Sequence, residues 1–184
     1  MPWEFGGDEC LFMRATPSGP GHIYGERVRA EILESPLPFV TGARIVIDAP
    51  ASKIFDLLAN PRMHPVLDGS VMVRGVLRGP ARLVSGAKFV MSMKMGFVPY
   101  FVPNTVVEFR DAEVIAWTTV SGQIWRYELR AIDANTTEVT EWSDGGSSRF
   151  KPAARNNLKW SGKAMAQSLV NLKKAVEGGG SVAR

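Results

Sequence analysis

The sequence predicts an α+β fold in which a curved antiparallel sheet of about seven strands wraps around a long C-terminal helix, with two short helices after the first strand. Three observations lead there. A stretch with strand alternation, 42–48, runs directly into a helix opened by Pro50. From Gly69 to residue 143 the chain reads as six strands separated by glycine, aspartate and asparagine, the residues that tight turns require. A helical stripe of apolar residues then occupies about 153–177.

Residues 1–25 include Thr16-Pro17-Ser18-Gly19-Pro20-Gly21 and show no sustained period, so residues 1–40 read as a Gly/Pro-rich extension of a domain that spans 41–178. Glu26 to Glu34 fits strand and helix equally, because Val28, Ala30 and Ile32 alternate over too short a run. Gly42 to Asp48 is a strand with Ala43, Ile45 and Ile47 on one face. Pro50 and Ala51-Ser52 open a helix that runs through Asn60 on a stripe of Ile54, Leu57 and Leu58. Pro61 and Pro65 then limit the next segment to a short second helix or turn.

The six strands fall at 70–79, 86–95, 100–110, 113–120, 123–132 and 136–143, and their short connections make an antiparallel meander. Alternation assigns their faces. Phe89, Met91 and Met93 share one side, as do Trp125, Tyr127 and Leu129, while Lys88, Lys94, Arg126, Glu128 and Arg130 point the other way. In the last helix Leu158, Ser161, Gly162, Met165, Leu169, Leu172 and Val176 form the stripe that faces the sheet. Gly178-Gly179-Gly180-Ser181 ends it, leaving 179–184 as a flexible tail. Gly162 sits in mid-helix at a cost of about 1 kcal/mol. Its missing side chain either leaves room for a cavity or lets the helix approach the sheet more closely.

The composition excludes several classes. At 184 residues, 45% hydrophobic and 22% charged, the chain has the balance of a globular domain with a full core. A single cysteine, Cys10, allows no intrachain disulfide and no cysteine cluster, which suits a reducing cytoplasm. No apolar run reaches the roughly 18 residues of a membrane span. The net charge of +4 is small, and the aromatic and arginine clusters of a nucleic-acid surface are missing, so no nucleic-acid partner is expected. No glycine-rich phosphate loop sits at a strand-to-helix junction, so no cofactor is expected.

Several pieces of the chain occur together in one known family. They are Ala49-Pro50-Ala51-Ser52-Lys53-Ile54-Phe55-Asp56-Leu57-Leu58, then His64-Pro65 with Asp68-Gly69-Ser70, then Val106-Val107-Glu108-Phe109 before Ile115-Ala116-Trp117. Trp125-Arg126-Tyr127-Glu128-Leu129 and Thr137-Glu138-Val139-Thr140-Glu141 complete the set. In their order and spacing the chain resembles the SRPBCC, or START-related, superfamily, in particular its polyketide cyclase/dehydrase-like branch, over about residues 42–177. The resemblance implies a helix-grip fold. It does not imply one activity, because that superfamily includes lipid carriers, hormone-binding proteins, aromatase/cyclases and hydroxylase domains.

Few residues are suited to chemistry. The histidines are His22, in the extension, and His64, too few to hold a metal without clustered partners, so no metal is expected. Asp68, four residues after His64, either orients the imidazole for proton transfer or, with it, ties down a loop at the cavity mouth; Pro65 between them weakens the first geometry. Glu141 shares strand parity with Val139. Alternation therefore points it into the cavity, where desolvation raises a carboxyl pKa and suits it to acid-base work; a bulge or an edge position would leave it in water.

Phe89, Met91, Met93, Phe109, Trp117, Trp125 and Tyr127 on the sheet, with Leu158, Gly162, Met165 and Leu169 on the helix, are the residues expected around a ligand. All of them also fit ordinary core packing. Lys151, Arg155, Lys159 and Lys163 recur every four residues as a basic ridge, the usual mark of a solvated face. Trp160 lies nearly opposite the apolar stripe and is either exposed or covered by residues 1–40. The expected function is therefore to carry or sequester a small hydrophobic molecule, aromatic, polyketide-like or lipid-like, in the cavity. The alternatives are a cyclase or dehydrase-type enzyme using His64 or Glu141, and a protein-interaction domain that shares only the fold.

Overall fold

The computed structural model describes residues 29–149 and 158–178. His22, Cys10, most of the extension, the helical start at Pro152 with Lys151 and Arg155, and the tail from Gly179 lie outside the described residues. Eight strands, β1 (Glu31–Glu34), β2 (Val40–Ile47), β3 (Val73–Arg78), β4 (Lys88–Met95), β5 (Val98–Arg110), β6 (Val114–Thr119), β7 (Ile124–Ala131) and β8 (Thr137–Asp144), form one sheet. Two short helices, α1 (Ala51–Leu58) and α2 (His64–Leu67), separate β2 from β3, and the C-terminal helix α3 is described over Leu158–Glu177.

The strand order is β1-β2-β8-β7-β6-β5-β4-β3, antiparallel at all seven pairings. β3 to β8 are a meander, as the short turns dictate; Gly96 and Gly122 take positive φ (57° and 89°) at two of those turns, where a side chain is strained. β2 then lies against β8 in continuous register from Val40↔Asp144 to Ile47↔Thr137, so the start of the domain meets its end. The sheet is not closed. It has eight strands rather than about seven because Glu31–Glu34, inside the expected extension, pairs with the free edge of β2, Ile32 opposite Ala43. Four residues are too few to show a period in the sequence.

Pro50 precedes α1 with φ −59° and ψ 144°, and the helix buries Ile54, Phe55 and Leu58. Phe55 takes the place expected of Leu57 and meets Phe109 of β5 edge-on at 5.4 Å. α1 stops at Leu58, two residues short of Asn60, and α2 is a single turn with Pro65 at its start. Leu83 is fully buried beneath this corner, its N–H donating to the Ala59 carbonyl at 2.7 Å.

α3 packs chiefly on β2, with β1 and β8 beside it and α1 and α2 against it. Its buried stripe includes Met165, Leu169, Leu172 and Val176. Gly162 belongs to close packing, not to a void: a Cβ there would stand 3.1 Å from Ile32 Cγ2 and 3.3 Å from Thr41 Oγ1. Because the helix lies over the β1-β2-β8 half of the sheet, the inner face of β4 to β7 is only partly covered. That uncovered half is where the cavity forms.

The opposite face of the sheet carries charge, with one buried exception. Arg126 is buried there, its Nε donating to Glu108 Oε2 at 2.7 Å and its Nη1 to Glu128, whose Oε2 accepts from the Trp142 indole at 3.2 Å. Trp142 in turn lies across Gly42, where a Cβ would be 2.5 Å from its ring. Among the described residues no helix is long and apolar enough to cross a membrane.

Candidate functional site

A cavity of about 540 Å³ lies between the inner face of the sheet, α2 and α3. β4 supplies Phe89, Met91 and Met93 to its wall, β6 supplies Trp117, β7 supplies Trp125 and Tyr127, and α3 supplies Met165. These residues reach one space because they share strand parity on neighbouring antiparallel strands. His64, Asp68 and Glu141 line it as well. Phe109, Leu158, Gly162 and Leu169 do not. Phe109 is carried past the cavity by the register shift between Val106 and Glu108 and packs on Phe55. Leu169 and Gly162 face the part of the sheet that α3 already covers, and Leu158 is half-buried at the first described turn of the helix.

The aromatic side chains form a connected wall. His64 stacks on Trp117 with centroids 5.1 Å apart and planes at 20°, and Phe89 meets both rings edge-on at 5.8 Å. Tyr127 continues the wall at 5.8 Å from Trp117. Such contacts hold large rings in fixed positions and leave a firm surface for an apolar ligand.

His64 and Asp68 are not hydrogen-bonded to each other. His64 Nε2 donates to the Leu58 carbonyl at 2.9 Å, which fixes the ring against the end of α1 and leaves Nδ1 as the unprotonated nitrogen. Burial pushes its pKa down, against the smaller upward effect of the Leu58 hydrogen bond, so the imidazole is neutral at pH 7. Asp68 turns away to organise the loop that leads into β3. Its carboxylate accepts from Ser70 N at 2.9 Å, Ser70 Oγ at 2.6 Å, Met72 N at 2.8 Å and Val73 N at 2.9 Å. This is the tie-down arrangement, and Gly69 completes it: its N–H donates to Ser168 Oγ of α3 at 2.9 Å.

Glu141 faces inward from the middle of β8, opposite Tyr127 on β7 and Ala43 on β2, and is buried. Removal from water raises its pKa to about 8; the hydrogen bond from Tyr127 opposes that shift and the Asp68 charge adds to it. Burial, reinforced by the Glu141 charge, also pushes the Tyr127 hydroxyl up. Among the described residues, Glu141 Oε2 is the one buried side-chain nitrogen or oxygen without a hydrogen-bond partner.

Sequence reasoning missed the polar lining. Tyr100 and Asn104 of β5 stand opposite Met93 and Phe89 in the sheet register, so a cross-strand pairing argument from the methionine face would have found them. Gln123 and Ser168 carry no such signal. Most of these groups are already engaged: Asn104 Nδ2 donates to Val102 O at 2.7 Å and Gln123 Nε2 to Ser143 Oγ at 2.8 Å. Trp160 stands at the mouth, 46% exposed, while Lys159 and Lys163 are exposed on α3. No group of three or more His, Cys, Asp or Glu among the described residues could hold a metal ion.

Fold and site together define an α+β protein whose sheet wraps a terminal helix and encloses an aromatic- and methionine-lined cavity. No family model matches the chain. It is 36% identical over 116 residues to the uncharacterized protein Rv0088 of Mycobacterium tuberculosis strain H37Rv, a stretch covering 63% of this chain and 50% of that protein. The uncharacterized protein MT0096 of strain CDC 1551 matches at 35% with the same coverage. The chain thus spans about half the length of the curated relatives it matches. Among solved structures, protein Ms6760 of Mycobacterium smegmatis superposes with a TM-score of 0.65 at 12% identity, covering 82% of this chain and 98% of that one. Protein NE0264 of Nitrosomonas europaea does so with a TM-score of 0.60 at 11% identity, covering 76% and 94%. At such identities the likeness is one of fold alone.

Proposed function

We propose that this chain is an SRPBCC-type helix-grip protein that binds a small hydrophobic molecule, aromatic, polyketide-like or lipid-like, and carries or sequesters it. The observation that supports this reading is the 540 Å³ cavity itself, within the range of small-molecule sites, whose wall of aromatic and methionine side chains is interrupted by polar groups, several of them already hydrogen-bonded within the protein. Apolar burial supplies the affinity, at about 25 cal/mol per Å² removed from water before the cost of immobilising the ligand. Native mass spectrometry of protein purified without denaturant tests it. A co-purified mass that is lost when Met93→Trp fills the cavity supports the reading; an unchanged mass distribution in the variant, or an empty wild type that takes up no apolar molecule, overturns it.

A second reading, cyclase- or dehydrase-type proton transfer in the same cavity, is favoured by one observation: a buried carboxyl, Glu141, lines the cavity, where removal from water pushes its pKa up to about 8. Turnover of a ketone-bearing substrate that disappears in Glu141→Gln, while the substrate still binds, is the result this reading requires.

A further inference from the structure

The mouth and the interior of the cavity differ in kind. Met95, Phe101 and Val120 at the rim are 63%, 62% and 66% exposed, whereas Glu141 and Tyr127 within are 3% and 7% exposed. Among the described residues the lining contains no lysine or arginine and includes two carboxyl groups, Asp68 and Glu141. An anionic head group would therefore be buried without a counter-charge and beside the Asp68 carboxylate, which is unfavourable by any electrostatic account.

Glu141 offers a neutral ligand what the lining denies an anion. Tyr127 hydrogen-bonds its carboxyl, and burial keeps that carboxyl protonated through neutral pH. A protonated carboxyl has one O–H to donate. With the tyrosine hydroxyl donating to one oxygen, the proton belongs on the other, Oε2, the atom that meets no partner. Oε2 is buried, but Glu141 lines the cavity and the terminal torsion of glutamate is broad, so rotation about it can bring Oε2 toward a ligand. No surrounding titratable group stands within hydrogen-bond reach of Oε2. Asp68 is held by its loop, His64 Nε2 is tied to Leu58, and Tyr100 lies on β5; β2 places Ala43 opposite, and α3 contributes Ser161, Met165 and Ser168.

Building on the cavity-binding reading, we propose that the ligand is a neutral molecule with an apolar body and a carbonyl group, and that Glu141 is the specificity-determining residue, donating a hydrogen bond to that carbonyl oxygen. Free fatty acids and other carboxylates are selected against. An amine would instead require Glu141 ionised, which its dry surroundings disfavour.

Four probes sharing a phenyl ring and a four-carbon chain test this: butyrophenone, butylbenzene, 4-phenylbutyrate and 4-phenylbutylammonium. Binding is followed by NMR through the methyl groups of Met91, Met93 and Met165, which report occupancy of the cavity itself. In the wild-type chain at pH 6.5, butyrophenone is expected to bind about tenfold more tightly than butylbenzene, the worth of one neutral hydrogen bond, with the carboxylate weakest. That advantage disappears as pH rises through about 8. Glu141→Leu abolishes the ketone preference while keeping butylbenzene binding, and Glu141→Gln, whose amide still donates, keeps the preference but loses its pH dependence. Should Glu141→Leu not fold, the pH response of wild type against Glu141→Gln carries the test alone. Equal binding of ketone and hydrocarbon, or tightest binding of the ammonium probe, overturns the assignment to Glu141. No methyl shift with any of the four probes overturns the cavity-binding reading beneath it.

Discussion

Glu141 couples the stability of the chain to pH, and the coupling can be worked from its surroundings. A buried carboxyl whose pKa lies at about 8 in the folded state and near 4.5 when exposed binds more protons folded than unfolded between those values. Its contribution is fully present below pH 4.5 and is lost as pH rises through about 8. The slope is about 1.4 kcal/mol per pH unit in that window, reaching about 5 kcal/mol across it. At pH 7 keeping this group neutral already costs the folded state about 3 kcal/mol, which a permanently neutral side chain avoids. Glu141→Gln is therefore expected to stabilise the chain at pH 7 by up to about 3 kcal/mol and to have little effect near pH 4.5. Urea denaturation of both proteins at intervals from pH 5 to 8 measures this, and the difference between them cancels the titration of every other group. Parallel stability profiles in the two proteins would refute the placement of a protonated carboxyl inside the sheet.

The loop and the outer face give three further outcomes. Gly69→Ala should destabilise the chain by at least about 2 kcal/mol in the same assay, because a Cβ would collide with the Ala164 carbonyl and stand 2.5 Å from Ser168 N, both backbone atoms of α3. Asp68→Ala should cost about 3 kcal/mol by stranding the N–H groups of Ser70, Met72 and Val73, and hydrogen exchange at those three amides should accelerate well beyond that of the β7 amides. Arg126→Met should cost about 2 kcal/mol at pH 7 by removing the buried cation between Glu108 and Glu128 and leaving Glu108 with Arg110 alone. Because Arg126 first, and Arg110 with it, hold the Glu108 carboxyl below its usual range, that cost should shrink as pH falls below 4.5 and Glu108 takes up a proton.

Much of the fold is local and was legible. Alternation placed β2 and β4 to β8 within about two residues, since a half-buried strand writes its two faces into the chain directly. The stripe of α3 was legible for the same reason at its own period. Where the sequence misled, a non-local effect intervened. β1 forms only because β2 offers an edge, Phe109 leaves the cavity because a bulge near Val107 changes its parity, and Phe55 outranks Leu57 because Phe109 arrives to meet it.

The site divides along the same line. Alternation put Phe89, Met91 and Met93 on one face of β4 and Trp125 and Tyr127 on one face of β7, since the direction of a side chain from a strand is a property of the backbone next to it. It left Glu141 open between cavity and solvent until the pairing of β8 with β2 and β7 placed it inside. Only the tertiary structure decided that α3 lies over β2 and leaves β4 to β7 only partly covered, that Gly162 serves close packing, and that Asp68 braces a loop rather than orienting His64. Those outcomes depend on which distant surfaces meet, and no period within one segment records the shape of its partner.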